Sequence, residues 1–483
     1  MPQSQAAGLP HPPSNPGNED CLFLNVYSPA NATNLPVLVW IHGGGYGIGD
    51  GQQDLSNIIT ANDGGFLGVA IQYRLGAFGF LSSREVFQRG AVNAGILDQN
   101  FALQWVQAYI KLFGGDPARV TIAGVSAGAG SVLMQCMAEG GSLGTTLFTN
   151  AISASPFLPR QHAYDDVVPT QAYTTFAARA GCMSNTADDT FDCLVTTDTL
   201  TLQKASANVS ESGVYGTWGF LPVTDGVFIQ QRPSQQLVDK RVNGRTILVG
   251  NNAREGSLFT PQNITSSDDL YAWLKTTLPL FTESDLVNAI HEYSEEGSVD
   301  VPDALDSPST RAQRTADTIY AEITFVCPSY WLAEAFDRPG SRSFKYQYSV
   351  LPATHGSDST GYFGPEQPNQ GPDFVKAFMS IWGNFIATSN PSISERIAAG
   401  NSSLYNAGSN WPSFRSSSPI QLNLNQSGGT PTATPFYVPG ITLTENRGPG
   451  LQNNFTLEDA FSLSGGKGAR CDFWRSMAIK LPS

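Results

Sequence analysis

At 483 residues the chain can bury a large core, and 41% hydrophobic against 14% charged residues excludes a disordered, highly charged polypeptide. Its 48 glycines and 31 prolines indicate a loop-rich globular protein. A formal net charge of −14 argues against nucleic acid or anionic membrane as partners, since both demand a basic surface.

The chain opens on Met1-Pro-Gln-Ser-Gln, which has neither the basic region nor the apolar run of a secretory signal, and a Pro-rich segment with His11 follows. Strand-like runs come at residues 23–27, 37–41 and 68–73. Ala102, Trp105, Val106, Tyr109, Ile110 and Phe113 then repeat at helical spacing, with Asp98 ahead and Gly114-Gly115 as the stop. A short strand at 120–123 leads into a helix-compatible run at 131–138, and further strands are predicted at 246–250 and 343–350. Between those two, residues 284–293 read as a helix carrying His291. The Ser/Pro/Gly-rich stretch 401–435 reads as surface loop, because an apolar strand pattern resumes at 436–444.

Alternating strands and helices predict an α/β fold with a mostly parallel sheet covered on both faces. There is no internal repeat, no linker and no apolar run of the ~18 residues needed to span a membrane, so residues 1–483 are expected to form one domain. Six Asn-x-Ser/Thr sequons, at Asn31, Asn208, Asn263, Asn401, Asn425 and Asn454, and six cysteines fit an oxidising, secreted setting.

Gly124-Val-Ser126-Ala-Gly128 matches the pentapeptide Gly-x-Ser-x-Gly, and so does Gly140-Gly-Ser142-Leu-Gly144. Only the first sits between a strand and a helix, the context in which a sharp turn exposes a nucleophilic hydroxyl. Ser142 follows the end of a helix and reads as a terminating loop. Upstream, the strand at 37–41 runs into His42-Gly43-Gly44-Gly45, whose backbone N–H groups can converge on a developing oxyanion. The two motifs together are a feature of lipases and esterases. Gly44, Gly45 and the Ala127 amide are the expected oxyanion donors.

Five histidines allow elimination of the base. His11 lies in the Pro-rich segment, His42 in the glycine loop, His162 in a loop after Ser155-Pro-Phe-Leu-Pro-Arg, and His291 on a helix. His355 follows a late strand, where the base of this arrangement belongs. The acid must lie between Ser126 and His355 in sequence. Glu255, just after the strand at 246–250, is favoured over Asp225, whose Asp-Gly dipeptide suits a plain turn.

With these pieces in place, the chain resembles the type-B carboxylesterase/lipase family, which includes cholinesterases and secreted fungal esterases. The resemblance rests on Glu19-Asp-Cys-Leu-Phe-Leu-Asn-Val-Tyr27, Tyr73-Arg-Leu-Gly-Ala-Phe-Gly-Phe80, Asn93-Ala-Gly-Ile-Leu-Asp-Gln99, Phe113-Gly-Gly-Asp-Pro117, Glu255-Gly-Ser257, Trp382-Gly-Asn-Phe385 and Asn410-Trp-Pro412. It implies an α/β-hydrolase fold, a Ser126–His355–Glu255 triad, small-molecule or lipid ester substrates, and no metal or organic cofactor. Arg74, Asp98 and Asp225 correspond to scaffold positions. It also implies a small-loop disulfide between Cys182 and Cys193 and leaves open whether Cys327 and Cys471 pair. Cys136 reads as a buried free thiol.

Three departures are notable. Val125 precedes the nucleophile where cholinesterases carry Glu, which argues against choline esters. Cys21 matches the second cysteine of the family's first disulfide but has no upstream partner, so N-terminal edge strands are expected to be missing. The lid segment is short, favouring an esterase over the alternative of an interfacial triacylglycerol lipase; a catalytically inactive adhesion member, the other alternative, is disfavoured because all three triad positions and the glycine loop are present.

Overall fold

The computed structural model of the chain describes residues 1–9, 17–184, 186–294, 310–401, 405–435 and 442–481. His11 and most of the strand pattern at 436–444 lie outside them.

Eleven strands are formed among these residues: β1 (Leu24–Tyr27), β2 (Leu35–Ile41), β3 (Leu67–Ile71), β4 (Gly115–Val125), β5 (Asn150–Ala154), β6 (Thr246–Asn252), β7 (Arg342–Tyr348), β8 (Ile420–Ser427), β9 (Thr430–Pro435), β10 (Thr442–Arg447) and β11 (Gln452–Asp459). Nine make one sheet in the order β1-β3-β2-β4-β5-β6-β7-β8-β11, while β9 and β10 form a separate hairpin. From β3 to β8 every pairing is parallel, and β1 and β11 close the edges antiparallel. Successive side chains of a strand point to opposite faces. Val37, Val39 and Ile41 of β2 thus join one apolar cluster, and Leu38 and Trp40 join another on the far side of the sheet. Burial on both faces is what a parallel sheet requires, and it explains the unbroken apolar run of β2.

Two expectations need correction, and one strand went unpredicted. The stretch 401–435 contains β8, a full member of the sheet, and β9. In β8, Leu422 and Leu424 point into the core while Asn423 and Asn425 alternate outward, a polar-rich strand hidden by its Ser- and Pro-rich flanks. The helix expected at 102–113 runs from Ala94 to Tyr109 and tightens into a 3₁₀ turn, Ile110–Phe113, so Asp98 lies inside it. Tyr109 and Phe113 are exposed, whereas Gln99 and Asn100 are buried and hydrogen-bond Ser131 and Gln135 of the next helix. Apolar periodicity cannot register such a polar contact face. Finally, β5 escaped prediction because Asn150-Ala-Ile-Ser-Ala154 is made of small residues, yet every one is buried.

Cys182 is bonded to Cys193, and Cys327 to Cys471, which ties the helix Cys327–Ala335 to the last helix, Leu463–Ser476. Cys21 and Cys136 are free and buried. No helix among the described residues is long and apolar enough to cross a membrane.

Candidate active site

Ser126, Glu255 and His355 follow the C-terminal ends of β4, β6 and β7, with β5 between the first two. Loops there diverge and leave a crevice, where ligands of open α/β sheets bind. Ser126 is the pivot between β4 and the helix Ala127–Met137, with φ 58° and ψ −124°. A non-glycine residue reaches this region only when its surroundings force it, and such strain collects at functional sites. The flanking glycines leave room for it. A Cβ on Gly128 would sit 2.0 Å from the Ile41 carbonyl oxygen, and one on Gly124 2.4 Å from the Gly128 backbone. Only bare backbone lets the turn fold back so tightly. Ser142, in the second pentapeptide, merely ends a 3₁₀ turn, Ala138–Gly141, on the exposed side.

His355 stands on the loop after β7, with Nε2 2.8 Å from Ser126 Oγ and Nδ1 2.5 Å from Glu255 Oε2. Its ring packs against Phe259, edge-on at 5.1 Å between centroids, and against Phe325, tilted at 4.3 Å. Phe325 is delivered by a π-helical turn, Glu322–Val326, which interrupts the helix that begins at Arg311 and ends at Ala335. Such turns widen a helix locally and are common at functional sites.

Glu255 is fully buried. Its Oε1 accepts from Ser155 Oγ at 2.5 Å, the Asn252 backbone N–H at 2.5 Å and Asn252 Nδ2 at 3.2 Å. Oε2 is left to face the imidazole. Asp358, also buried, lies on the other side of Asn252, which donates to it at 3.2 Å, and it accepts from Tyr346 at 3.0 Å. Burial, and then the charge of Glu255, raises the Asp358 carboxyl to about 6. Sequence reasoning missed Ser155, Asn252 and Asp358. Their one sequence signal is proximity to a strand end, which many inert residues share.

The loop His42–Gly45 lies against the Ser126 turn: a Cβ on Gly43 would come within 3.0 Å of Ser126 Cβ. Gly44 and Gly45 both have positive φ, at 104° and 62°. Among the described residues no acceptor takes their N–H groups, so both are free to meet an oxygen from outside. Ala127 is the first residue of its helix, where the dipole favours negative charge. His42 stacks on Tyr73 at 4.4 Å, and burial depresses its imidazole to about 4, so it is a neutral support for the loop.

The remaining candidates lie elsewhere. Asp225 accepts from Asn93 Nδ2 and from the N–H groups of Val227, Phe228 and Ile229, which makes it the organiser of a turn. Asp98 holds Arg74 through both carboxylate oxygens. His291 ends the helix Glu283–His291. His162 sits 3.7 Å from Asp166. No group of three His, Cys, Asp or Glu among the described residues converges to hold a metal ion.

Comparison with known proteins gives the same direction. The model of the carboxylesterase family matches residues 2–434. Carboxylesterase patB of Aspergillus clavatus is 31% identical over 402 residues, covering 77% of this chain and 68% of that protein. Secreted lipase 1 of Botryotinia fuckeliana is 31% identical over 438 residues, covering 85% of this chain and 73% of its own length. Among solved structures, Aspergillus niger EstA superposes with a TM-score of 0.75 at 27% identity, across 100% of this chain and 88% of that one.

Proposed function

The chain belongs to the carboxylesterase family and is a carboxylic ester hydrolase; on that premise we propose that it works as a serine esterase through Ser126, His355 and Glu255. The observation that carries the assignment is the unbroken hydrogen-bond path from Ser126 Oγ through His355 to the buried Glu255 carboxylate. In the first step Oγ attacks the ester carbonyl carbon and its proton passes to His355 Nε2. The negative oxygen is met by the amides of Gly44, Gly45 and Ala127, each well-placed donor contributing about 3–4 kcal/mol. The protonated imidazole then gives its proton to the departing alcohol, leaving an acyl-serine. Water, deprotonated by His355, attacks the acyl carbon; the acid leaves and Ser126 recovers its proton.

Glu255 keeps Nδ1 protonated and steadies the imidazolium through both steps. The same reading makes the protein a secreted one. Two disulfides persist in an oxidising compartment, and five of the six sequon asparagines are exposed, with Asn425 half-buried.

The test is the intact mass of the protein after exposure to a fluorophosphonate, with peptide mapping. One adduct, on Ser126, is expected, and none on the Ser126→Ala protein. A folded wild-type protein that takes no label would refute the assignment.

A further inference from the structure

Beyond Ser155, the chain runs Pro156-Phe-Leu-Pro-Arg160 along the rim of a cavity of about 240 Å³. Phe157, Leu158, Val223, Leu278 and Ile323 give it an apolar wall. Trp218 and Phe157 are shared with the active site. A Cβ on Gly45 would lie 2.0 Å from the Trp218 ring, and the Phe157 N–H donates to the Ser126 carbonyl. The cavity therefore starts directly behind the residues that surround the nucleophile.

One cation lies in this apolar setting. The Arg160 side chain lines the cavity, and among the described residues no carboxylate or carbonyl pairs with it; the Tyr320 phenol, whose hydroxyl donates to the Gly216 carbonyl, lies near enough to act on its charge. Burial alone works against its charge, pulling its pKa down. His162 beside it is held neutral first by burial and next by the charge of Arg160, so it does not compensate. The Trp218 Nε1–H is buried and also lacks an acceptor. Arg160 is half-buried among these apolar side chains, so an anion that enters the cavity meets a cation already stripped of part of its water. Trp218 Nε1 lies against Gly47, and Arg160 is the charged group at the cavity wall.

We propose that the cavity receives the far end of an ester that carries a carboxylate, such as the hemiester of a straight-chain dicarboxylic acid, with Arg160 as its counter-ion. This rests on the ester-hydrolase reading of Ser126. A carboxylate matches one guanidinium in charge and in its planar, two-oxygen geometry. A phosphate dianion would leave a second charge buried without a partner. The apolar wall suits the methylene chain between the two carbonyl carbons. Because the whole molecule is acidic, selectivity for an anion must come from such a local cation.

The experiment compares monoethyl and diethyl adipate, differing only in the free carboxylate, followed by acid release at constant pH. For each protein the ratio of kcat/KM for the monoester to that for the diester is measured. Arg160→Gln is expected to lower this ratio about 10- to 100-fold, mainly through KM of the monoester, and Arg160→Lys to restore part of it. An unchanged ratio in Arg160→Gln would overturn the proposal. Diethyl adipate turnover that Ser126→Ala abolishes tests the ester-hydrolase reading separately. If neither ester turns over, calorimetric binding of monoethyl adipate to the Ser126→Ala protein decides. Binding weakened about tenfold or more by adding Arg160→Gln upholds the cation's role, and equal binding removes it.

Discussion

Two buried glutamates show how one functional group serves opposite ends. Glu322 and Glu255 are both fully buried, and the π-helical turn that begins with Glu322 also supplies Phe325 to the His355 ring. Glu322 is closed off. Arg470 grips it with Nη2 at 2.6 Å and Nε at about 3 Å, Tyr293 donates to Oε2 at 2.6 Å, and Trp474 Nε1 donates to the Tyr293 hydroxyl at 2.8 Å. All its partners point inward, and its cation is permanent. Glu255 spends one oxygen on Ser155 and Asn252 and turns the other to an imidazole that can lose its proton and whose far nitrogen reaches Ser126. On the proposed mechanism, a buried carboxylate is scaffold when its network ends on a fixed charge, and machinery when it ends on an imidazole open to the crevice.

The sharpest way to break this contrast is to neutralise each site in turn. Glu255→Gln keeps the shape but offers His355 an amide in place of a charge. Turnover of a neutral ester is expected to fall by about 10⁴ in kcat, since the imidazole loses both its tautomer control and its counter-ion. The thermal transition should stay cooperative. A loss of less than about tenfold would make Glu255 a bystander. Arg470→Met should do the reverse. It leaves the Glu322 charge buried without its cation, and urea unfolding should show a loss of about 3–5 kcal/mol. Activity per folded molecule should hold, because nothing in that cluster touches Ser126. If Arg470→Met lowers kcat as much as it lowers stability, the two glutamates are not separable.

The two sites were also unequally legible in the sequence. Ser126, His355 and Glu255 could be read because each follows a strand and because chemistry restricts the residue types. Glycines at 124 and 128 and a scarcity of histidines narrowed the choice further. The Glu322–Arg470 pair joins positions 148 apart in sequence on helices with ordinary patterning, so nothing in the chain announces it. The supports of Glu255 were hidden for a similar reason. Ser155 and Asn252 act through backbone placement at strand ends, which a linear reading cannot separate from any other polar residue. The fold shows the same division. The β-branched, doubly buried strands β2 and β6 were legible, whereas β5, built from small residues, and β8, alternating leucine with asparagine, were not.

Asp358 gives the subtlest test, since it couples to the machinery without joining it. Its carboxyl is raised to about 6 by burial and by the charge of Glu255 across Asn252. Against an unfolded value of about 3.9, the folded protein therefore prefers Asp358 protonated. The contribution is complete below about pH 4 and is lost as pH rises through about 6, a change of at most about 3 kcal/mol. Asp358→Asn cannot titrate, yet it keeps an oxygen to accept from Tyr346. Its stability relative to wild type, from urea midpoints, should thus climb by about 2–3 kcal/mol between about pH 4 and pH 7. Asp317, which burial raises to about 6, titrates in both proteins and cancels from the difference. If the two stability curves instead run parallel, Asp358 is charged throughout. Glu255 would then share its buried site with a second anion, which would widen the contrast with the Glu322 site, where Arg470 balances the charge.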